Sequence, residues 1–302
     1  MTDHRAGGTP GRRGDDGAAG RAASGREPGG RTGARREPAG RPGGGREPAG
    51  REGDGGSFLP PAVEAAWGLR ERPTKGPRPG LSLDRIVGAA VRLASEEGLG
   101  AVSMGRVAKE LGASTMSLYR YVSAKSELYT LMQEAATGAP PPGLLDPGAD
   151  WRANLARWAG AMRGIYLREP WLLRVPVSGP PATPNAVAWW EQALLAMDGT
   201  GLPPETRLSV TMLVAGFVKS EALMAAEVGE AMGAAGADGA DEAMRRYART
   251  LRRLAAPETY PRVAWVLGSG VLDEAGGPDD EFRFGLDRIL DGVAVLVEDR
   301  DA

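Results

Sequence analysis

Between Ser114 and Val122 the chain reads STMSLYRYV, and its two aliphatic residues, Leu118 and Val122, stand four apart. That spacing puts both on one side of a helix. Ser114, Thr115, Met116, Ser117, Tyr119 and Tyr121 are then left to meet something other than the core. Their chemistry suits the edges of nucleic-acid bases. The hydroxyls of Thr115 and Ser117 can serve either a donor or an acceptor edge, and Met116 offers the apolar contact that a thymine methyl takes. Lys125 follows near the start of the next helix, where free backbone N–H groups add to its attraction for an anion such as phosphate.

Other chemistry is poorly provided for. The single histidine is His4, in a stretch with almost nothing to bury, so a histidine base or imidazole metal site is not available. The chain has no cysteine, which removes disulfides, thiolate metal sites and thiol nucleophiles. Asp279-Asp280-Glu281 is an acidic trio, better read as a helix start favoured by the helix dipole than as a catalytic cluster. Neither a phosphate-binding Gly-Lys loop nor a dinucleotide fingerprint occurs. The expectation is a binding protein, not an enzyme, with no cofactor and no metal.

The elements that must hold the 114–125 stretch are helical. Val102 to Leu111 carries Met104, Val107, Ala108 and Leu111 on one face, and Gly112 supplies the left-handed conformation that ends it. Two short helices across a tight turn, the second with a free polar face, make a helix-turn-helix unit. Ser82 can cap a supporting helix that runs to about Glu97, with Ile86, Ala89, Ala90, Leu93 and Ala94 in one stripe. A fourth helix, about Lys125–Ala136, buries Leu128, Leu131, Met132 and Ala135. Upstream, residues 1–57 are rich in Gly, Arg, Pro and Glu, with Arg-Glu-Pro recurring at Arg26, Arg36 and Arg46, and read as a disordered tail. Residues 58–80 read as a short helix near Ala62–Leu69 that docks on the remainder, then a basic Pro-rich arm.

Along the run VAKELGASTMSLYRYVSAKSEL the chain resembles the DNA-binding domain of TetR/AcrR-type transcriptional regulators, from about Leu81 to Ala136. Leu111-Gly112, Leu118-Tyr119, Tyr121-Val122 and Lys125, in that order, carry the resemblance. It implies that Thr115, Met116 and Ser117 face the bases, with Ser114 a further candidate on the same face, and that Tyr119, Tyr121 and Lys125 hold phosphates. Ser103, at the start of the second helix, is a further backbone-contact candidate. Gly105 stands where some relatives carry a guanine-reading Arg, with Arg106 beside it, which puts that contact in doubt here.

Residues 149–302 read as all helix, in segments Ala149–Arg168, Pro184–Met197, Pro204–Gly233, Asp241–Ala256, Pro261–Leu267 and Asp279–Asp299. The segments at 205–228 and 279–299 carry more apolar surface than one neighbour can cover, and the resemblance implies that they pair with their copies in a homodimer. It also implies a cavity for a small, apolar or aromatic effector, for which Trp158, Met162, Trp189, Met212, Phe217 and Tyr247 are the candidate lining. Those residues fit an ordinary helical core equally well. Arg245, Arg246, Arg249, Arg252 and Arg253 form a stripe read as a solvated or ion-paired face. Charge is unevenly spread: residues 70–137 hold 10 Lys/Arg against 7 Asp/Glu, and residues 138–302 hold 16 against 23. A mildly basic segment on an acidic body suits a duplex-binding unit on a body that DNA does not attract. No apolar run reaches the roughly 18 residues of a membrane span, and none resembles a signal-peptide core, so no membrane partner and a cytoplasmic location are expected. The fold class expected is all-α, with a helix-turn-helix domain over 81–137 and an effector-binding and dimerisation domain over 149–302. The function expected is that of a ligand-responsive repressor that binds a palindromic double-stranded DNA operator as a dimer and is released by a small-molecule effector. A drug-sequestering protein with incidental DNA binding is the alternative.

Overall fold

The computed structural model describes residues 59–69, 81–177, 179–234, 239–273, 277 and 279–301. The expected tail over 1–57 and the arm over 70–80 lie outside the described residues. Among those described there is no strand, and the fold is all-α.

The first helix, α1 (Pro61–Ala66), opens on a proline, whose missing N–H costs nothing at that position. It is shorter than the sequence reading because Gly68 adopts φ +69° and the Leu69 N–H returns to the Glu64 carbonyl. α2 (Leu83–Glu97) is capped by Ser82, whose hydroxyl accepts from the Arg85 N–H, and it buries Ile86, Ala89, Ala90, Leu93 and Ala94. After a 3-10 turn, α3 (Met104–Glu110) is capped in the same way by Ser103. Gly112, at φ +62°, turns the chain into α4 (Thr115–Tyr119). α5 (Lys125–Thr137) follows.

α4 is shorter than Ser114–Val122. Ser114 is its cap rather than its first turn, and at the other end the N–H groups of both Tyr121 and Val122 bond to the Leu118 carbonyl. Five residues cannot sustain a helix alone, since nucleation costs more than one turn returns. What holds α4 is burial: Leu118 and Val122 are completely buried in one core with Ile86, Val102, Val107, Leu128 and Met132.

The remaining chain forms α6 (Trp151–Arg168), a 3-10 turn at Pro170–Arg174 that helical periodicity does not announce, α7 (Pro184–Ala196), α8 (Pro204–Ala234), α9 (Gly239–Leu254), α10 (Pro261–Gly268) and α11 (Asp280–Asp301). α6 packs on α7 and α8, and α8 on α11. At the last crossing the helices approach so closely that a Cβ on Gly285 would lie 2.5 Å from the Phe217 ring, which itself stacks on Phe282. Arg163 ties the three long helices together. Its guanidinium is almost wholly buried, donates to both oxygens of Glu221 (2.7 and 3.0 Å) and to Asp279 (2.6 Å), and lies over the Phe282 ring. The two carboxylates, Glu221 first, raise the Arg163 pKa against the effect of burial.

α8 corrects one expectation. Taken as a continuous helix, Pro204–Ala231 is long and apolar enough to cross a membrane by length and composition. The apolar runs looked interrupted because Lys219 and Glu221 fall inside them. Glu221 is accounted for by Arg163, the cation that a carboxylate shielded from water needs.

Candidate nucleic-acid interface

The outer face of α4 presents Met116, 75% exposed, and Tyr119, 46% exposed, with Thr115 half-buried beside them. A single exposed methionine is ordinary on a protein surface; Met116 matters here because it shares the outer face of α4 with Tyr119 and Thr115. The two serines are less free than the sequence implied. The Ser114 hydroxyl accepts from the Ser117 N–H at 3.2 Å and lies 2.8 Å from the Ser117 hydroxyl, so each occupies the other. Ser114 is thus a cap, which sets the pitch at which α4 leaves the turn.

The other candidates divide. Ser103 is exposed, and its oxygen accepts from the Arg106 N–H. The Arg106 side chain reaches back to Glu97 at 2.6 Å, across the gap between α3 and α2. Tyr121 is turned inward, its hydroxyl donating to the Leu81 carbonyl at 3.1 Å. Lys125 is exposed at the first position of α5, with its ammonium 5.1 Å from the Tyr129 ring. The start of α5 is fixed by Glu127, a buried carboxylate that accepts from both the N–H and the hydroxyl of Ser123 at 2.6 Å. The structure therefore gathers Met116, Tyr119 and Thr115 on one face and Lys125 at the adjoining helix start. It turns Tyr121 to the Leu81 backbone.

The side-chain bonds that join this unit to the rest are not visible in the sequence. Ser95 of α2 donates to Glu169 at 2.6 Å, and the Trp171 indole donates to the same oxygen. Glu134, near the end of α5, accepts from the Asn185 N–H in the first turn of α7, and the Asn185 side-chain amide donates back to the Glu134 carbonyl. α1 packs on α5, and the Trp67 indole N–H reaches the Ala182 carbonyl just before α7. These partners are far apart in the chain, where periodicity carries no signal. The helix-turn-helix unit is thus held to the body at two places, the end of α6 and the start of α7.

The six residues considered for an effector cavity are not all inside. Trp158 and Trp189 are buried and hydrogen-bonded in series: the Trp158 indole donates to the Trp189 carbonyl, and the Trp189 indole to the Gly138 carbonyl, both at 2.9 Å. Met162 and Phe217 pack partly buried against the same core. Met212 and Tyr247, 62% and 54% exposed, lie on the surface of this chain. Two surface clefts are lined by other residues. One, of about 250 Å³, lies between α9 and α10 over Leu251, Arg262, Val263, Val266, Leu267 and Leu272. The other, of about 390 Å³, is polar and lined by α2 and α3 residues from Asp84 to Leu111. The arginine stripe of α9 is largely paired. Arg245 and Arg249 hold Glu242, whose carboxyl is drawn down to about 2 by Arg249 and then Arg245, and Arg252 pairs with Asp273.

A capped helix-turn-helix offering an apolar and hydroxyl-bearing face, set on a helical body, defines the chain as a DNA-binding regulator in architecture. Comparison with known proteins gives the family. Residues 86–132 match the family model for bacterial regulatory proteins of the tetR family, and residues 144–297 match that for the tetracyclin repressor-like C-terminal domain. The chain belongs to the tetR family of transcription regulators, a family of regulators rather than enzymes. It is similar to the HTH-type transcriptional repressor DrrR1 of Streptomyces coeruleorubidus, 39% identical over 244 residues, which are 79% of this chain and 86% of the relative. Among solved structures it resembles ActR of Streptomyces coelicolor, a TetR family protein. The complex with (S)-DNPA gives a TM-score of 0.57 and the complex with actinorhodin 0.58, each at 25% identity, covering 72% of this chain and 98% of ActR.

Proposed function

We propose that the protein is a ligand-responsive repressor that binds a palindromic operator as a homodimer in the cytoplasm and releases it when a small molecule occupies the body. The observation that carries this reading is α4: a helix too short to stand alone, pinned by two fully buried residues, with its exposed face given to Met116, Tyr119 and Thr115. The division of labour follows the helices, with DNA binding over 81–137 and effector binding and dimerisation over 149–302. α8 leaves Leu208, Met212, Leu213, Met224 and Val228 exposed, and α11 leaves Phe284, Val295 and Leu296. A second copy seated on these faces would cover them, and its twofold symmetry would match two half-sites about one helical turn apart.

The effector is a small apolar or aromatic molecule, in keeping with the Trp158, Met162, Trp189 and Phe217 neighbourhood and with ActR, whose structures hold actinorhodin or (S)-DNPA. The coupling route is short. Trp158 of α6 bonds to Trp189 of α7, and α7 is held at its start by Glu134 of α5. A ligand that displaces Trp158 therefore moves α7, and with it the angle of α5 and the spacing of the two recognition helices. The ligand must favour the displaced state by differential affinity, or nothing shifts.

The test is binding of the purified protein to its own upstream DNA, titrated against salt and a scrambled competitor. A preference of about 10³-fold or more supports the regulator, and equal, weak binding to both sequences favours a sequestering protein. Lys125→Ala is expected to weaken binding to every duplex alike and to lower the salt slope by about 1, because a phosphate contact carries no sequence information. Loss confined to one base pair would contradict that role.

A further inference from the structure

Resting on the regulator reading, we infer that Arg120 is the guanine-reading residue of the recognition unit and sets the sequence preference at one position of each half-site. Arg120 immediately follows α4, four residues after Met116 and next to Tyr119, so it continues the exposed face that those two define. It is exposed, and among the described residues no carboxylate pairs with it. A second arginine of the helix-turn-helix, Arg106, is held by Glu97 at 2.6 Å. Lys125 is a point charge beside Tyr129. On the face of α4, among the described residues, Arg120 is thus a guanidinium whose fork of donors is uncommitted, and a guanine presents in the major groove the paired acceptors O6 and N7 that such a fork fits.

Distances along the backbone allow it. From Ser114 to Arg120 is six residues, roughly 9 Å of helix rise. The major groove, about 12 Å wide, admits a helix about 10–12 Å across, so α4 and the root of Arg120 can lie in it together. The serines strengthen the assignment by subtraction, since the Ser117 hydroxyl is engaged with Ser114. The polar reading capacity left on the exposed face is then Thr115, Tyr119 and Arg120. Of these, Arg120 alone can make two parallel hydrogen bonds to one base edge.

The experiment is a selection from a library of randomised 30-base-pair duplexes, run in parallel with the unaltered full-length protein, Arg120→Ala and Arg120→Lys. Affinities are then measured for single-base variants of the selected site. The expected result is a consensus from the unaltered protein with a G·C pair in each half-site that becomes degenerate with Arg120→Ala. Discrimination at that pair should fall about 5- to 150-fold while the other positions persist. Arg120→Lys keeps the charge but not the fork, and should recover overall affinity more than discrimination. An unchanged consensus with uniformly weaker binding and a salt slope lower by about 1 would make Arg120 a phosphate contact and overturn the inference. A consensus lacking a G·C pair would overturn it equally. No consensus from the unaltered protein would overturn the regulator reading as well, which separates the two failures.

Discussion

Replacing Arg163 with Met is expected to destabilise the folded protein by about 3–5 kcal/mol, because it strands a buried charge rather than merely removing a contact. Arg163 is 7% exposed, and its guanidinium supplies hydrogen bonds to both oxygens of Glu221 and one of Asp279. Methionine fills much of the volume and keeps a contact with the Phe282 ring, so packing alone would forgive the change. The loss comes from Glu221, whose side chain is 14% exposed on α8 and would have no cation to face. Asp279, about half-exposed at the start of α11, can turn to water and contributes less. The prediction therefore carries a second arm. Arg163→Met combined with Glu221→Met should regain most of the stability, since an apolar replacement of both partners is often neutral or better. Urea unfolding followed by far-UV circular dichroism measures both. A single variant that loses under about 1 kcal/mol would show that water reaches Glu221 and that the triad is a surface pair.

Much of the architecture was legible because it rests on local spacing. Ile86, Ala89, Ala90 and Leu93 fall on one helical stripe, and they are buried on α2 as that stripe requires. Leu118 and Val122 are four apart and both are buried. Gly112 stands where the chain must turn left-handed, and it does. What sequence could not supply lies between elements. The end of α4 depends on which carbonyl takes the Tyr121 and Val122 N–H groups, and no side-chain pattern records that choice. Ser117 looked free because its partner, Ser114, is polar too, and only geometry shows the two hydroxyls facing each other. Tyr121 looked available for the same reason, yet its hydroxyl goes to Leu81, forty residues upstream. In the body, a tryptophan or methionine has the same appearance in sequence whether it lines a cavity, fills a core or lies on a face. Trp158 is buried and Met212 is on the surface, although both sit in helices of similar apolar content.

Leu118→Ala should abolish operator preference while leaving the body folded, and it tests the link between burial and recognition most directly. Leu118 is completely buried, and it is the one buried residue within α4. Truncating such a leucine costs about 2–5 kcal/mol, from lost transfer and from the cavity left behind. In a long helix that cost would be shared among many contacts. α4 has five residues, and its intrinsic helix stability is unfavourable at that length. The cost therefore falls on the docking of α4 against α3 and the shared core, and the exposed face of Met116 and Tyr119 loses its fixed orientation. Affinity for the protein's own upstream DNA should drop toward that for a scrambled duplex, from a preference of about 10³-fold toward none. Hydrogen exchange over residues 114–122 should accelerate, while exchange in α6, α8 and α11 stays slow. Leu118→Met, which nearly conserves volume and costs under about 1.5 kcal/mol, is the control and should retain the preference. If Leu118→Ala kept full sequence preference, the recognition surface would have to be held by something other than this core. Val122, completely buried one turn further on, is the next support to truncate in the same way.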